Sequence, residues 1–214
     1  MTTATTEPAD AAVERPTYEA AGTVRTGLAM VVLGVLGLVA SAALTVERLL
    51  VATDPDHVPS CSFNPVLTCT TAMLSDEGSL FGIPNPLLGV AGFPVVVATG
   101  AALLAGARMR PWYWLGMWLG TLAGVVFVHV LVYVSLARIS ALCPYCIVVW
   151  VATIPLFAVV SAYAVPRGAL GTRAASSTLV QDLLALRWWL VGLWFVVLVA
   201  LAGIVFWDYW QTLL

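Results

Sequence analysis

The chain has 214 residues, 61% of them hydrophobic and 9% charged, with a formal net charge of −2 and a mean hydropathy of +0.99. Soluble globular chains carry roughly 25% charged residues; nine basic and eleven acidic side chains cannot clothe a soluble domain of this size, so most apolar side chains must face lipid or other helices. A soluble enzyme, a disordered chain and a secreted disulfide scaffold are excluded, and so is a nucleic-acid binder, because there is no lysine and no basic cluster to meet phosphates.

Residues 1–25, rich in Thr, Ala, Glu and Pro, are expected to form a disordered cytoplasmic tail. Five runs free of Asp, Glu, Lys and Arg follow, at 27–46, 87–107, 112–137, 147–165 and 188–207. Each approaches or exceeds the roughly 18 to 20 residues that cross a bilayer as a helix. The fold class is therefore an all-α membrane protein with five transmembrane helices. Residues 26–165 are expected to form a four-helix bundle that includes an outside connection at 47–86. A cytoplasmic linker at 166–187 leads to a peripheral fifth helix and outside carboxyl terminus at 188–214.

Pro94 and Pro155 fall inside spans and predict kinks, since neighbouring helices satisfy the freed carbonyls. Gly116, Gly120 and Gly124 repeat every four residues and predict close helix packing. A competing reading takes Ala40, Ser41 and Ala42 as a signal-peptide cleavage site; the other four spans are unaffected by it. Arg15 and Arg25 precede the first span, Arg108 and Arg110 join the second to the third, and Arg167, Arg173 and Arg187 join the fourth to the fifth. The positive-inside rule then places the amino terminus in the cytoplasm. It also places Cys61, Cys69, Cys143 and Cys146 on the extracytoplasmic side, where disulfides persist.

The tetrapeptide CPYC at 143–146 is the sharpest motif. Cysteines three apart in a first helical turn share a face within disulfide reach. Pro144 suits the first helical position, and the helix start favours a thiolate, expected to act at Cys146. Cys61 and Cys69 alone would read as a structural disulfide; beside a second dithiol they suggest thiol exchange and delivery of two electrons elsewhere. A four-cysteine zinc site and a static staple are the bland alternatives, as part of a structural or transport membrane protein. The zinc reading would favour a second CxxC, and a transporter would favour charges within its spans. No nucleotide, flavin or haem motif is present. The electron acceptor is then expected to be lipid-soluble, and a quinone fits. His129, with Tyr133 one turn on, could approach a quinone headgroup, although an interhelical hydrogen bond is the stronger reading. Glu47 and Arg48 read as markers of the membrane boundary.

The chain resembles the bacterial branch of the vitamin K epoxide reductase family. CSFNPVLTC at 61–69, Ser75, FGIPNPLLG at 81–89 and ALCPYCIVVW at 141–150 carry the resemblance, in the order and spacing of that family. The other quinone-linked disulfide-forming enzymes, of the DsbB type, have the CxxC in the first outside loop, the reverse of the order here. The resemblance implies that Cys143 and Cys146 are the active-site pair, with Cys146 nearest the quinone, that Cys69 shuttles electrons to Cys143, and that Cys61 meets the partner. It implies cofactor contacts at Ser75, Phe81, Asn85 and Trp150. Trp150 stands where vertebrate enzymes have tyrosine, which weakens the case for epoxide reduction and favours quinone reduction. The implied acceptor is menaquinone, ahead of ubiquinone or vitamin K. The implied partner is a separate thioredoxin-like, DsbA-like protein acting in trans, because no thioredoxin-like domain follows the fifth span.

Overall fold

A computed structural model describes residues 10–54, 56–75, 78–80 and 82–211. Five helices are long and apolar enough to cross a membrane: Gly22–Thr53, Asn85–Leu104, Pro111–Ile139, Pro144–Ala164 and Arg187–Val205. The first is part of α1 (Asp10–Thr53). A short α2 (Thr70–Leu74) and an antiparallel pair, β1 (Ser79–Leu80) and β2 (Ile83–Pro84), fill the connection to α3 (Asn85–Leu104). Next come α4 (Pro111–Val134), which ends in a π-helical turn at Ser135–Ile139, and α5 (Pro144–Ala164). Short helices α6 (Thr172–Ser176) and α7 (Thr178–Ala185) lead to α8 (Arg187–Val205) and α9 (Trp207–Gln211).

The tail expected at 1–25 is helical from Asp10 onward, while residues 1–9 lie outside the described residues. Its alanines, glutamates and arginine are good helix formers, and a long apolar helix downstream supplies the costly nucleus. α1 also runs on past the predicted end of its span to Thr53, which carries Glu47 and Arg48 on its last turns. Both internal prolines leave their helices unbroken.

α1 packs against α3 and α5, and α4 packs against α5. The central helix is α5: Ala152, Leu156, Val160 and Ala164 are buried in one cluster with Met30 of α1, Phe93 of α3 and Trp114 of α4. Polar side chains pin the layers, because a hydroxyl in lipid must find a partner. Thr99 bonds Tyr113 across α3 and α4 (2.5 Å), and Trp118 Nε1 donates to Ser161 Oγ across α4 and α5 (3.0 Å). α8 touches α5 and the π-helical turn and has no buried residue, so it is peripheral.

The expected glycine packing falls on other helices. A Cβ at Gly116 or Gly120 would meet nothing within 4 Å, and one at Gly124 would meet Thr153 Cγ2 at 3.3 Å. The close approach is between α1 and α3, where a Cβ at Gly100 would lie 2.7 Å from the Gly27 carbonyl oxygen and one at Gly89 would collide with Ser41 Oγ. Gly100→Ala is therefore expected to push α1 from α3 and to cost about 1 to 3 kcal/mol, the usual range for overpacking. Thermal unfolding in detergent measures it, with Gly116→Ala and Gly120→Ala expected to match the parent protein.

Candidate active site

The connection at 54–69 is shaped by local hydrogen bonds before it meets the bundle. Asn64 Oδ1 accepts from the N–H groups of Val66 (3.0 Å) and Leu67 (2.7 Å), an Asx-type turn that Pro65 reinforces. The returning segment then pairs in parallel with the chain leading into α5. Leu142 N donates to Val66 O (2.7 Å) and Thr68 N donates to Leu142 O (3.0 Å). This bridge, Leu67 to Leu142, sits two residues before Cys69 and one before Cys143. It brings their sulfurs to 2.9 Å.

Cys61 and Cys69 form a disulfide, while Cys143 and Cys146 are free thiols. Cys61, Cys69 and Cys143 are buried together with Leu44 and Met73, and Cys146 packs at the edge of the same cluster. Cys143 caps the start of α5 in extended conformation, with Pro144 as the first helical residue. Its thiol is held below the ordinary range by the hydrogen bond from the Cys146 thiol, and further by the N–H groups of Cys146 and Tyr145, against an opposing effect of burial. The Cys146 hydrogen bond, aided by the N–H groups of the helix start, thus favours a thiolate at Cys143, whereas the sequence predicts that it acts at Cys146. Three of the sulfurs, those of Cys61, Cys69 and Cys143, lie within 4.8 Å of one another. With two of them joined in a disulfide, the cluster is arranged for exchange between sulfurs; metal binding would need that bond reduced.

Beside the thiols runs a narrow cleft of about 50 Å³. Cys143, Cys146, Ser75, Asn85 and Arg48 are among the residues that line it, and Leu44, Met73, Leu131, Val134 and Ile139 make its walls apolar. A sulfur pair, an amide and an apolar slot suit a flat, oxygen-bearing ring in chemistry. In volume the slot holds little more than a water or two, so a ring needs the wall to move.

The sequence profile of the vitamin K epoxide reductase family matches residues 28–161, which cover α3, α4, most of α5 and all four cysteines. The chain belongs to that family. No curated protein gives a significant match of its own. Membership assigns the chain to quinone-linked disulfide redox chemistry in general, in a multi-pass membrane protein.

Among the residues that the family resemblance singled out, Ser75 and Asn85 line the cleft with the CPYC pair. Ser75 Oγ donates to Ala72 O (3.1 Å) at the end of α2, and Asn85 opens α3. Phe81 lies outside the described residues. Trp150 is one helical turn beyond Cys146 but is not among the cleft residues. Its ring is buried with Val66, Val128, Leu142, Ile154 and Phe206, and its Nε1 has no hydrogen-bond partner among the described residues. His129 turns away from the cleft: Trp194 Nε1 of α8 donates to its Nε2 (2.9 Å), which leaves Nδ1–H to donate to Val125 O (2.8 Å). Nε2 makes the interhelical contact that the sequence favoured, and Nδ1 is engaged within α4.

Two residues read as boundary markers hold the family's redox loop in place. Glu47 is buried; its carboxylate accepts from His57 Nε2 (2.9 Å), from Ser60 N (3.2 Å) and from Ser60 Oγ. Ser60 Oγ also meets Tyr145 OH (3.2 Å), which ties the residue before Cys61 to the residue before Cys146. Arg48 donates to Gly78 O (2.6 Å) and Ser79 Oγ (2.7 Å), clasping the hairpin above the cleft. Their sequence signal was a charged pair followed by an Asp- and Pro-rich stretch, which boundary residues also produce. Glu47→Ala is expected to remove about 2 kcal/mol of loop anchoring. Slower exchange between the loop disulfide and Cys143, with faster proteolysis at 54–60, is the measurable outcome.

Proposed function

We propose that this protein is an extracytoplasmic disulfide generator that oxidises a thioredoxin-like partner and passes two electrons to a membrane quinone, menaquinone for preference. The observation that carries the reading is the 2.9 Å approach of Cys69 Sγ to Cys143 Sγ, which connects a loop dithiol to a dithiol at the membrane surface. Arg25, Arg108, Arg110, Arg167, Arg173 and Arg187 flank the ends of the spans away from the cysteines, which supports a cytoplasmic amino terminus and extracytoplasmic thiols.

The relay balances as follows. The partner dithiol reduces the Cys61–Cys69 disulfide through a mixed disulfide at Cys61 and leaves as an oxidised protein. Cys69 thiolate attacks Cys143 of the Cys143–Cys146 disulfide, so that a Cys69–Cys143 bond forms and Cys146 leaves as a thiolate. Cys61 thiolate then attacks Cys69, restores the loop disulfide and expels Cys143. A thiol held below the ordinary range leaves faster, so the geometry at Cys143 favours this step. The resulting state, loop pair oxidised and CPYC pair reduced, is the one in the structure. A bound quinone supplies a two-electron, two-proton sink and becomes the hydroquinone. The chain's part in that last stage is to hold Cys146 at the cleft, to offer the Asn85 amide there, and to re-form the Cys143–Cys146 bond as the electrons leave. The buried, unpartnered Nε1 of Trp150, one turn from Cys146, is a further donor once the cleft opens.

Single-turnover oxidation of the fully reduced protein by a short-chain quinone tests the order. The Cys143–Cys146 disulfide should form first and the Cys61–Cys69 disulfide second, and Cys69→Ala should stop after the first. Equal oxidation of the loop pair in Cys143→Ala would contradict the relay. The pH profile gives a further check. Because Cys143 is held below the ordinary thiol range, the first phase should persist as pH falls through that range and decline only below it, whereas an unperturbed thiol would lose its thiolate as soon as pH dropped under its ordinary value.

A further inference from the structure

At the end of the bundle opposite the cysteines, a cavity of about 1140 Å³ lies among the start of the first span within α1, the α3–α4 turn, the end of α5 and the first residue of α8. Arg25, Arg108, Arg167 and Arg187 all line it, and among the described side chains no Asp or Glu does. Among the described residues none of the four makes an ion pair; the one described, His57–Glu47, is at the other end. Two of the guanidinium groups are held in place without a carboxylate. That of Arg167 lies 3.6 Å from the Tyr163 ring centroid and donates to Tyr163 O (3.0 Å), and that of Arg187 lies 5.7 Å from the Trp188 ring centroid and donates to Leu184 O (2.6 Å). Each of these bonds uses one N–H of a five-donor fork, so most donors remain for a ligand.

Four cations around one cavity repel one another unless an anion joins them. Arginine forks match phosphate oxygens two at a time. The depth of the site selects the source of the phosphate. Exposed Trp112, Trp188 and Trp189 gather at this end as tryptophans do at the headgroup level. α7, with Leu179 and Leu183 exposed, has the amphipathic character of a helix lying along that surface. Leu103, Leu104, Met109 and Trp114 supply apolar wall beside the arginines, suited to the glycerol and first acyl carbons.

We propose that this cavity binds the phosphate headgroup of an anionic phospholipid. With no carboxylate in its described lining, it has nothing to receive the amine of a zwitterionic headgroup. The bound phosphate bridges α1, the α3–α4 turn, α5 and α8, and so tethers a helix that otherwise has no buried residue.

The test uses the full chain in phosphatidylcholine nanodiscs with increasing phosphatidylglycerol, read by thermal unfolding midpoint and by retained lipid in native mass spectrometry. Phosphatidylglycerol is expected to raise the midpoint saturably. Arg108→Gln should weaken its apparent affinity about fivefold, and Arg108→Gln with Arg167→Gln about 25-fold, at about a fivefold loss per arginine. Arg138→Gln removes the same charge at the opposite end and should change nothing. Arg108→Lys keeps charge in the exposed turn and should retain most of the shift, which separates loss of the site from loss of the fold. Equal weakening by Arg138→Gln, or unchanged binding in the double variant, would overturn the proposal. Inorganic phosphate reads the soluble source: saturation by it, with no further gain from the lipid, would overturn the lipid assignment.

Discussion

Cys146→Ala is expected to stop quinone reduction, with a loss on the order of 10³-fold or more, as when a covalent nucleophile is removed. The reason is positional. Among the four cysteines, Cys143 and Cys146 line the cleft, and Cys143 is also committed to Cys69 at 2.9 Å. Without Cys146 the CPYC disulfide cannot form, so electrons that reach Cys143 have no second sulfur with which to leave as a pair. The loop disulfide should survive, because its anchors, Asn64, Glu47 and the Leu67–Leu142 bridge, do not involve Cys146. Normal folding with absent turnover is the expected combination. Quinone absorbance gives the turnover, and mass mapping of the Cys61–Cys69 bond reports the fold.

Cys61→Ala is expected to abolish oxidation of the protein partner while sparing turnover driven by a small dithiol. In this variant Cys69 still attacks Cys143, but no loop thiolate returns to break the bond that forms. Without a small dithiol to reduce it, the Cys69–Cys143 mixed disulfide should therefore accumulate and be recovered by non-reducing peptide mapping. Its formation needs no rearrangement, since the Leu67–Leu142 bridge already holds the two sulfurs in contact. A Cys61→Ala protein that oxidises the partner at the parent rate would remove Cys61 from the relay.

The spans and the four thiols were legible in the sequence because each signal is local. A run of apolar residues is a helix in lipid whatever surrounds it, and CPYC with proline at the first helical position defines its own turn. What depended on distant partners was not legible. Gly116, Gly120 and Gly124 have the more regular spacing, yet Gly27, Gly89 and Gly100 make the close approach, because a second helix decides which small residue is used. Glu47 and Arg48 looked like boundary charges, and their partners Ser60, Gly78 and Ser79 are brought to them only by the folded loop. The choice of Cys143 as the favoured thiolate follows first from the hydrogen bond that the Cys146 thiol gives it, a side-chain pairing that the spacing of CPYC does not reveal.

The narrow cleft adds a physical expectation about access. Arg48, Gly78 and Asn85 line it on one side and the CPYC pair on another, and Arg48 is bonded to Gly78 and Ser79, so admission of a ring must disturb contacts that are well made in this state.

The most direct test of the account is a coupled assay of purified protein with a reduced thioredoxin-like substrate and a short-chain quinone, following quinone absorbance and substrate thiols together. The account predicts one quinone consumed for each disulfide made in the substrate, with both signals lost in Cys146→Ala. Quinone reduction at an undiminished rate in Cys146→Ala, or substrate oxidation that leaves the quinone untouched, would contradict it.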